Sequence, residues 1–136
     1  MDHFDLNPEL LKYIEDHTSK EDEVLAELRR YTFLKVVHPR MISGPVQGKF
    51  LEMISKLIKP HRILEIGTYT GYSAICLGRG LAKQGKLITI EINDELKKVN
   101  THFFRKSGLS SKIKSITGDA LTVIPRLEDQ FDIVFV

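Results

Sequence analysis

Glu65 opens the stretch Glu65-Ile66-Gly67-Thr68-Tyr69-Thr70-Gly71-Tyr72-Ser73, where a short apolar run ends in a glycine-bearing turn and an apolar-periodic segment begins. The spacing predicts strand, tight loop and helix. Gly67 can take a positive φ and let a ligand approach the backbone, while the first helical turn offers unpaired N–H groups and a positive dipole end to an anion. Glu91 follows 24 residues after Gly67, at a strand tip from which a carboxylate can accept both vicinal hydroxyls of a ribose. Dinucleotides and adenosyl compounds both use such a pair of features. A dinucleotide turn, however, needs glycine at the place held by Tyr69, so that the backbone can touch the pyrophosphate. The pattern here is Glu-x-Gly-x-x-x-Gly, which suits a ligand without a diphosphate. S-adenosylmethionine is one, and its carboxylate can take the helix N-terminus and the Ser73 hydroxyl. Asp119, at the tip of a third strand, can accept from an adenine amino group while the Ala120 N–H bonds the ring. Two plainer readings stand beside these: Glu91 as an exposed strand-end acid, and Asp119 as a helix N-cap, a role compatible with base binding.

The elements that must position these residues are legible from caps, breakers and periodicity. Asn7-Pro8-Glu9 reads as N-cap, first helical position and early acid, opening a helix to about Asp16. Ser19-Lys20-Glu21-Asp22 starts a second, whose stripe is Val24, Leu25, Leu28 and Tyr31, with Arg29, Arg30 and Lys35 on a solvated face. Two prolines and a glycine within His38–Pro45 deny that stretch regular structure. Pro45 then initiates a third helix, with Val46, Phe50, Leu51, Ile54, Leu57 and Ile58 as its apolar face and Pro60 beyond its end. Strands are expected at 62–66, 86–92, 113–117 and 131–136, and helices over about 72–82, from 96 to a stop at Gly108, and in the short run 121–124. Strands alternating with helices predict a parallel α/β sheet.

Composition narrows the class. At 136 residues with 42% hydrophobic content, one core and one domain are expected, and a formal charge of +2 does not call for a polyanionic partner. Cys76, the only cysteine, lies in an apolar stretch, which excludes an internal disulfide and suits a reducing, cytoplasmic setting. Met1–Asp5 lacks the layout of a signal peptide, and no apolar run approaches the ~20 residues that cross a bilayer, so no membrane association is expected. The five histidines, His3, His17, His38, His61 and His102, show no i, i+4 pair, and no metal site is expected within this sequence.

The segments 41–48, Ile63–Ser73, Ile90-Glu91-Ile92-Asn93, Gly118-Asp119-Ala120 and Phe131–Val136 together resemble the cation-dependent O-methyltransferases. These include the caffeoyl-CoA and catechol enzymes and small bacterial relatives, one branch of which methylates a hydroxyuridine in transfer RNA. The resemblance covers about Tyr31 onward. It implies a Rossmann-like class I methyltransferase core with strand order 3-2-1-4, preceded by helices and a connector at 1–44, with the S-adenosylmethionine-binding part at 45–136. It further implies that Met41 and Ser43 close over the cofactor, that Glu65, Gly67 and Thr68 line its methionine half, and that Tyr69 is among the cofactor-binding residues. Ser73 would hold the carboxylate, Glu91 the ribose, Ile92 the adenine face, and Asp119 with Ala120 the base edge.

In that family the fourth strand is followed by an aspartate that binds a divalent cation, then a lysine, and later an Asp-Asn pair. These residues are not in the sequence, nor are the strands that complete the sheet. The expectation is therefore a cofactor-binding half of a larger enzyme, with no catalytic residue of its own and magnesium acting only in the complete protein. The expected acceptor is a phenolic hydroxyl, with transfer RNA as the alternative and a non-catalytic cofactor-binding fragment as the third reading. The apolar run Ile133–Val136 lacks polar alternation, as in a strand buried on both faces, and is expected to drive self-association if its edge is open.

Overall fold

A chain that alternates strand and helix must return to the same end of its sheet before each new strand, which makes the strands parallel. The computed structural model describes residues 7–136, so the reading of Met1–Asp5 and the histidine at position 3 lie outside the described residues. The order is α1 (Pro8–Asp16), α2 (Glu23–Lys35), α3 (Gly44–Ile58), β1 (Arg62–Ile66), α4 (Tyr72–Gly78), β2 (Lys86–Glu91), α5 (Lys97–Lys106), β3 (Ile113–Thr117), α6 (Ala120–Val123) and β4 (Ile133–Phe135). A 3-10 turn at Pro39–Met41 occupies the proline-rich connector. The four strands form one parallel sheet in the order β3-β2-β1-β4, as the resemblance implied. No helix among the described residues is long and apolar enough to cross a membrane.

Strand parity divides the core. Ile63 and Leu87 face α2, α4 and α5 and join Leu25, Leu28, Ile75, Leu77, Phe103 and Phe104 in the larger apolar cluster. Leu64, Ile88 and Ile90 face the other way, onto α6 and Phe131. Glu65 and Thr89 share the parity of Ile63 and Leu87, so both are directed at α4 rather than at solvent. Asn7, Asp22, Asn93 and Asp119 each accept a backbone N–H at the start of a helical segment. Gly108 takes φ 76° just beyond α5.

Several expectations need correction. The apolar side of α3 is not its buried side: Gly48, Leu51, Glu52 and Ser55 are buried, whereas Phe50, Leu57 and Ile58 are exposed. Close approach of α3 to α4 is the cause, since a Cβ on Gly48 would lie 2.6 Å from Tyr72 Cε1 and one on Gly80 only 2.2 Å from the Ser55 carbonyl carbon. That approach also shortens α4, expected to reach Ala82 but ending at Gly78, where Ser55 Oγ and Gly80 N donate to Leu77 O at 2.6 Å and 3.2 Å. On α2, Thr32 rather than Tyr31 completes the buried stripe, its hydroxyl donating to Leu28 O at 2.8 Å. Arg29 is not simply solvated, because Glu21 takes its guanidinium through contacts of 2.9–3.1 Å. β2 ends at Glu91, one residue early, and β4 covers only Ile133–Phe135. Asp132 lies just before β4, with its N–H donating to Arg62 O at 2.8 Å and its Oδ2 accepting His61 N and Arg62 N at 2.7 Å and 3.0 Å.

Two glycines separate contact from conformation. Gly80→Ala should destabilise the fold by about 3 kcal/mol, the upper part of the overpacking range, because the added methyl meets backbone that cannot rotate away. Gly108→Ala, where a Cβ meets nothing within 4 Å but φ is positive, should cost about 1 kcal/mol. Urea unfolding of both variants checks the order; equal costs would remove the close α3–α4 approach as a determinant of the fold.

Candidate functional site

The turn after β1 is built from residues with left-handed backbone: Gly67 at φ 90°, Tyr69 at φ 49° and Gly71 at φ 91°. For Gly71 the space is also closed, since a Cβ would sit 2.7 Å from Phe104 Cε1. The turn is fastened to the neighbouring strand by Gly67 N and Thr68 N, which both donate to Ile90 O at 2.9 Å and 3.2 Å. Tyr69 carries a side chain in a conformation that usually favours glycine, and its surroundings hold it there. Its N–H donates to Glu91 Oε2 at 2.7 Å, and its hydroxyl lies 3.0 Å from Val37 O and 3.1 Å from His38 O. The buried Thr70 Oγ1 lies 3.0 Å from Thr32 Oγ1, whose own hydrogen is given to Leu28 O, tying α2 to the same turn.

Behind the turn is a buried polar cluster. Glu65 is 0% exposed. Ser73 Oγ donates to its Oε1 at 2.5 Å, Thr89 Oγ1 donates to its Oε2 at 2.6 Å, and Thr68 Oγ1 lies 2.5 Å from Thr89 Oγ1. Burial raises the Glu65 carboxyl to about 7, against the two hydroxyl bonds that favour its charged form, and the negative charge of Glu91 adds to the rise.

Glu91 is half-buried at the tip of β2. Its Oε2 accepts from Tyr69 N and its Oε1 from Asn93 N at 3.0 Å. A carboxylate has about four acceptor positions, so each oxygen keeps a lone pair while its direction is fixed. The tip of β3 is joined to it by Gly118 N, which donates to Glu91 O at 2.9 Å. Asp119 follows there, exposed, with Oδ1 accepting Leu121 N at 2.8 Å as the cap of α6. The plain cap role is thus present, and it leaves the second carboxylate oxygen of Asp119 open to solvent.

A cavity of about 210 Å³ opens between the tips of β1 and β4, where the strand order reverses and ligands of open α/β sheets are received. Met41, Ser43, Gly67, Thr68, Tyr69 and Ser73 all line it. Glu65 does not; it reaches the cavity only through Ser73. Glu91, Ile92, Asp119 and Ala120 lie along the adjacent tips of β2 and β3, with Ile92 73% exposed and Ala120 packed on the α6 side. Gln47, Thr70 and Tyr72 also line the cavity and were not anticipated. The one sequence signal for Gln47 is a polar residue in the first turn of α3, within an apolar-periodic segment; for Tyr72 it is the place at the start of α4.

Behind this wall the helices are tied by ions. Tyr72 Oη donates to Glu21 Oε1 at 2.7 Å, and Arg79 Nη1 donates to Asp22 Oδ2 at 2.6 Å. Burial raises the Tyr72 hydroxyl, helped by its bond to Glu21, and pushes the Cys76 thiol up to about 12, so neither ionises near neutral pH. Among the described residues no three His, Cys, Asp or Glu side chains form a group that can hold a metal ion.

A model of the O-methyltransferase family matches residues 15–136. A catechol O-methyltransferase of Niastella koreensis is 34% identical over 128 residues, covering 91% of this chain and 58% of its own length. A caffeoyl-CoA O-methyltransferase of Stellaria longipes is 32% identical over 138 residues, covering 94% and 56%. Among solved structures, the O-methyltransferase TomG from Streptomyces achromogenes, in complex with S-adenosylmethionine and involved in tomaymycin synthesis, superposes with a TM-score of 0.84 at 31% identity, covering 93% of this chain and 58% of that one. The chain therefore spans little more than half the length of these relatives.

Proposed function

The chain belongs to the O-methyltransferase family, and from that premise we propose that it binds S-adenosylmethionine along the tips of β1, β2 and β3 and serves methyl transfer to a phenolic hydroxyl. What supports the cofactor is the donor set. A backbone turn without a side chain at Gly67 admits the ligand, Ser73 lines the cavity for its methionine end, and Glu91 is held by two N–H groups with lone pairs left for a ribose. Met41 and Ser43 form the outer wall, which Tyr69 ties to the turn through its hydroxyl. Ile92 offers an exposed apolar side chain beside Glu91, and Asp119 with the Ala120 N–H completes a place for an adenine edge. When bound, S-adenosylmethionine supplies a methyl group on a sulfonium, which an oxygen nucleophile displaces in line. The residues of this chain bind and orient; none is assigned a proton-transfer step.

A phenolic acceptor is favoured by the relatives, named for catechol and caffeoyl-CoA. Transfer RNA is the weaker reading, because on the basic face of α2 Arg29 is already engaged by Glu21. The described residues hold no donor set for a divalent cation, and no step is derived through one. A cytoplasmic setting is proposed from the lone, buried Cys76.

Glu91 carries the reading. Glu91→Ala should weaken S-adenosylhomocysteine binding by roughly ten- to a hundredfold, the range for hydrogen bonds to a charged group, as read by titration calorimetry. Equal affinity in the variant would remove Glu91 from the site.

We also propose self-association through β4, which pairs with β1 on one side only, with Val134 58% exposed. An apolar edge of unpaired N–H and C=O groups recruits a strand from another chain. Light scattering should show dimers or larger species, reduced in Val134→Lys; a monomer at high concentration for the unmodified chain would end this proposal.

A further inference from the structure

We propose that Glu65 is a proton-controlled positioning residue: its protonation state decides whether the Ser73 hydroxyl offers the cavity a hydrogen atom or a lone pair, so that a ligand carboxylate binds at Ser73 with uptake of a proton. This rests on the cavity being the cofactor site.

The hydrogen inventory leads to it. Ser73, Thr89 and Thr68 carry one hydroxyl hydrogen each, and their oxygens form three contacts with Glu65 and with one another. With Glu65 ionised, one assignment serves all three contacts: Ser73 donates to Oε1, Thr89 donates to Oε2, and Thr68 donates to Thr89. Every hydrogen is then directed into the cluster. Ser73, which lines the cavity, turns only lone pairs toward it, and a carboxylate arriving there meets those lone pairs with a buried anion behind them. With a proton on Oε1, the carboxyl group donates to Ser73 Oγ and still accepts from Thr89 at Oε2. The Ser73 hydrogen is released to the ligand. One proton enters from solvent and no covalent bond other than its O–H is made or broken.

The surroundings allow both states. From β2, Thr89 donates and Glu91 is the one charged group that acts on Glu65. From α4, Ser73 is its partner. From β4, Phe135 stands opposite it in register, and no cation among the described residues bonds it. Burial and the Glu91 charge bring the group to about 7, so both states are populated at neutral pH. An ammonium at Ser73 would select the opposite state and release a proton, which makes the sign of the effect informative.

Calorimetric titration with S-adenosylhomocysteine at pH 7, in two buffers of different ionisation heat, reads the linkage directly. For a group titrating at about 7, uptake of about half a proton is expected, and Kd should weaken about tenfold from pH 6 to pH 8. In Glu65→Gln the amide can donate to Ser73 and accept from Thr89 permanently. That variant should bind with less proton uptake and a flatter profile, the remainder being the ligand's own amino group. If Glu65→Gln does not fold, carbon NMR of the Glu65 carboxyl in the unmodified chain decides, with a midpoint that rises on saturation. Binding with proton release, or with none, would overturn the proposal and leave the cofactor reading standing. No binding at any pH would overturn both.

Discussion

A carboxyl group with no exposed surface must either be neutral or be met by donors, and Glu65 is met by hydroxyls alone. That constraint organises the middle of the molecule. Strand parity turns Glu65 and Thr89 toward α4, and the first turn of α4 must lie close enough for Ser73 to reach. The turn between them therefore has few residues in which to reverse, which is why it uses left-handed backbone at Gly67, Tyr69 and Gly71. The strain of Tyr69 is offset by bonds at both of its ends, to Glu91 and to the connector that carries Met41 and Ser43. A buried carboxyl, a strained turn and the wall of the cavity are thus successive consequences of one placement.

The other side of α4 obeys a different constraint. Gly48, Ser55 and Gly80 allow α3 and α4 to approach until backbone meets backbone, and the ions of Glu21, Asp22, Glu52, Arg29 and Arg79 surround that contact. The result is a rigid seat for the Ser73 end of α4, made with little large apolar side chain. It also leaves Phe50, Leu57 and Ile58 of α3 facing outward.

Much of this was legible in the sequence. The bounds of β1 and β3, the caps at Asn7, Asn93 and Asp119, the positive φ of Gly67 and the stop at Gly108 follow from local chemistry, which the fold did not override. Met41, Ser43, Gly67, Thr68, Tyr69 and Ser73 line one cavity. What could not be read depends on packing across elements. Apolar periodicity on α3 pointed at the wrong face, because a small-residue face packs more closely than a bulky one and periodicity counts only bulk. The end of α4 depended on Ser55, which lies 22 positions from Leu77 in the chain. The commitment of Ser73 to Glu65, and of Arg29 to Glu21, is likewise a tertiary fact with no local signature. Gln47 lies in a helix whose sequence signal is carried by its apolar residues.

The neutral form of Glu65 is the most direct thing to measure. Its folded value of about 7 stands above the ordinary 4.5. The folded chain therefore holds a proton that the unfolded chain gives up as pH rises through that interval. The stability this contributes is complete below about pH 4.5 and is lost as pH rises to about 7, an effect on the order of 3 kcal/mol. Urea unfolding of the unmodified chain and of Glu65→Gln across pH 4.5 to 8 isolates it, because other carboxylates are common to both. The unmodified chain should lose stability relative to the variant through that window and run parallel to it above. Curves that stay parallel throughout would mean that Glu65 titrates as in the unfolded chain, and the buried cluster behind the cavity would not exist as described.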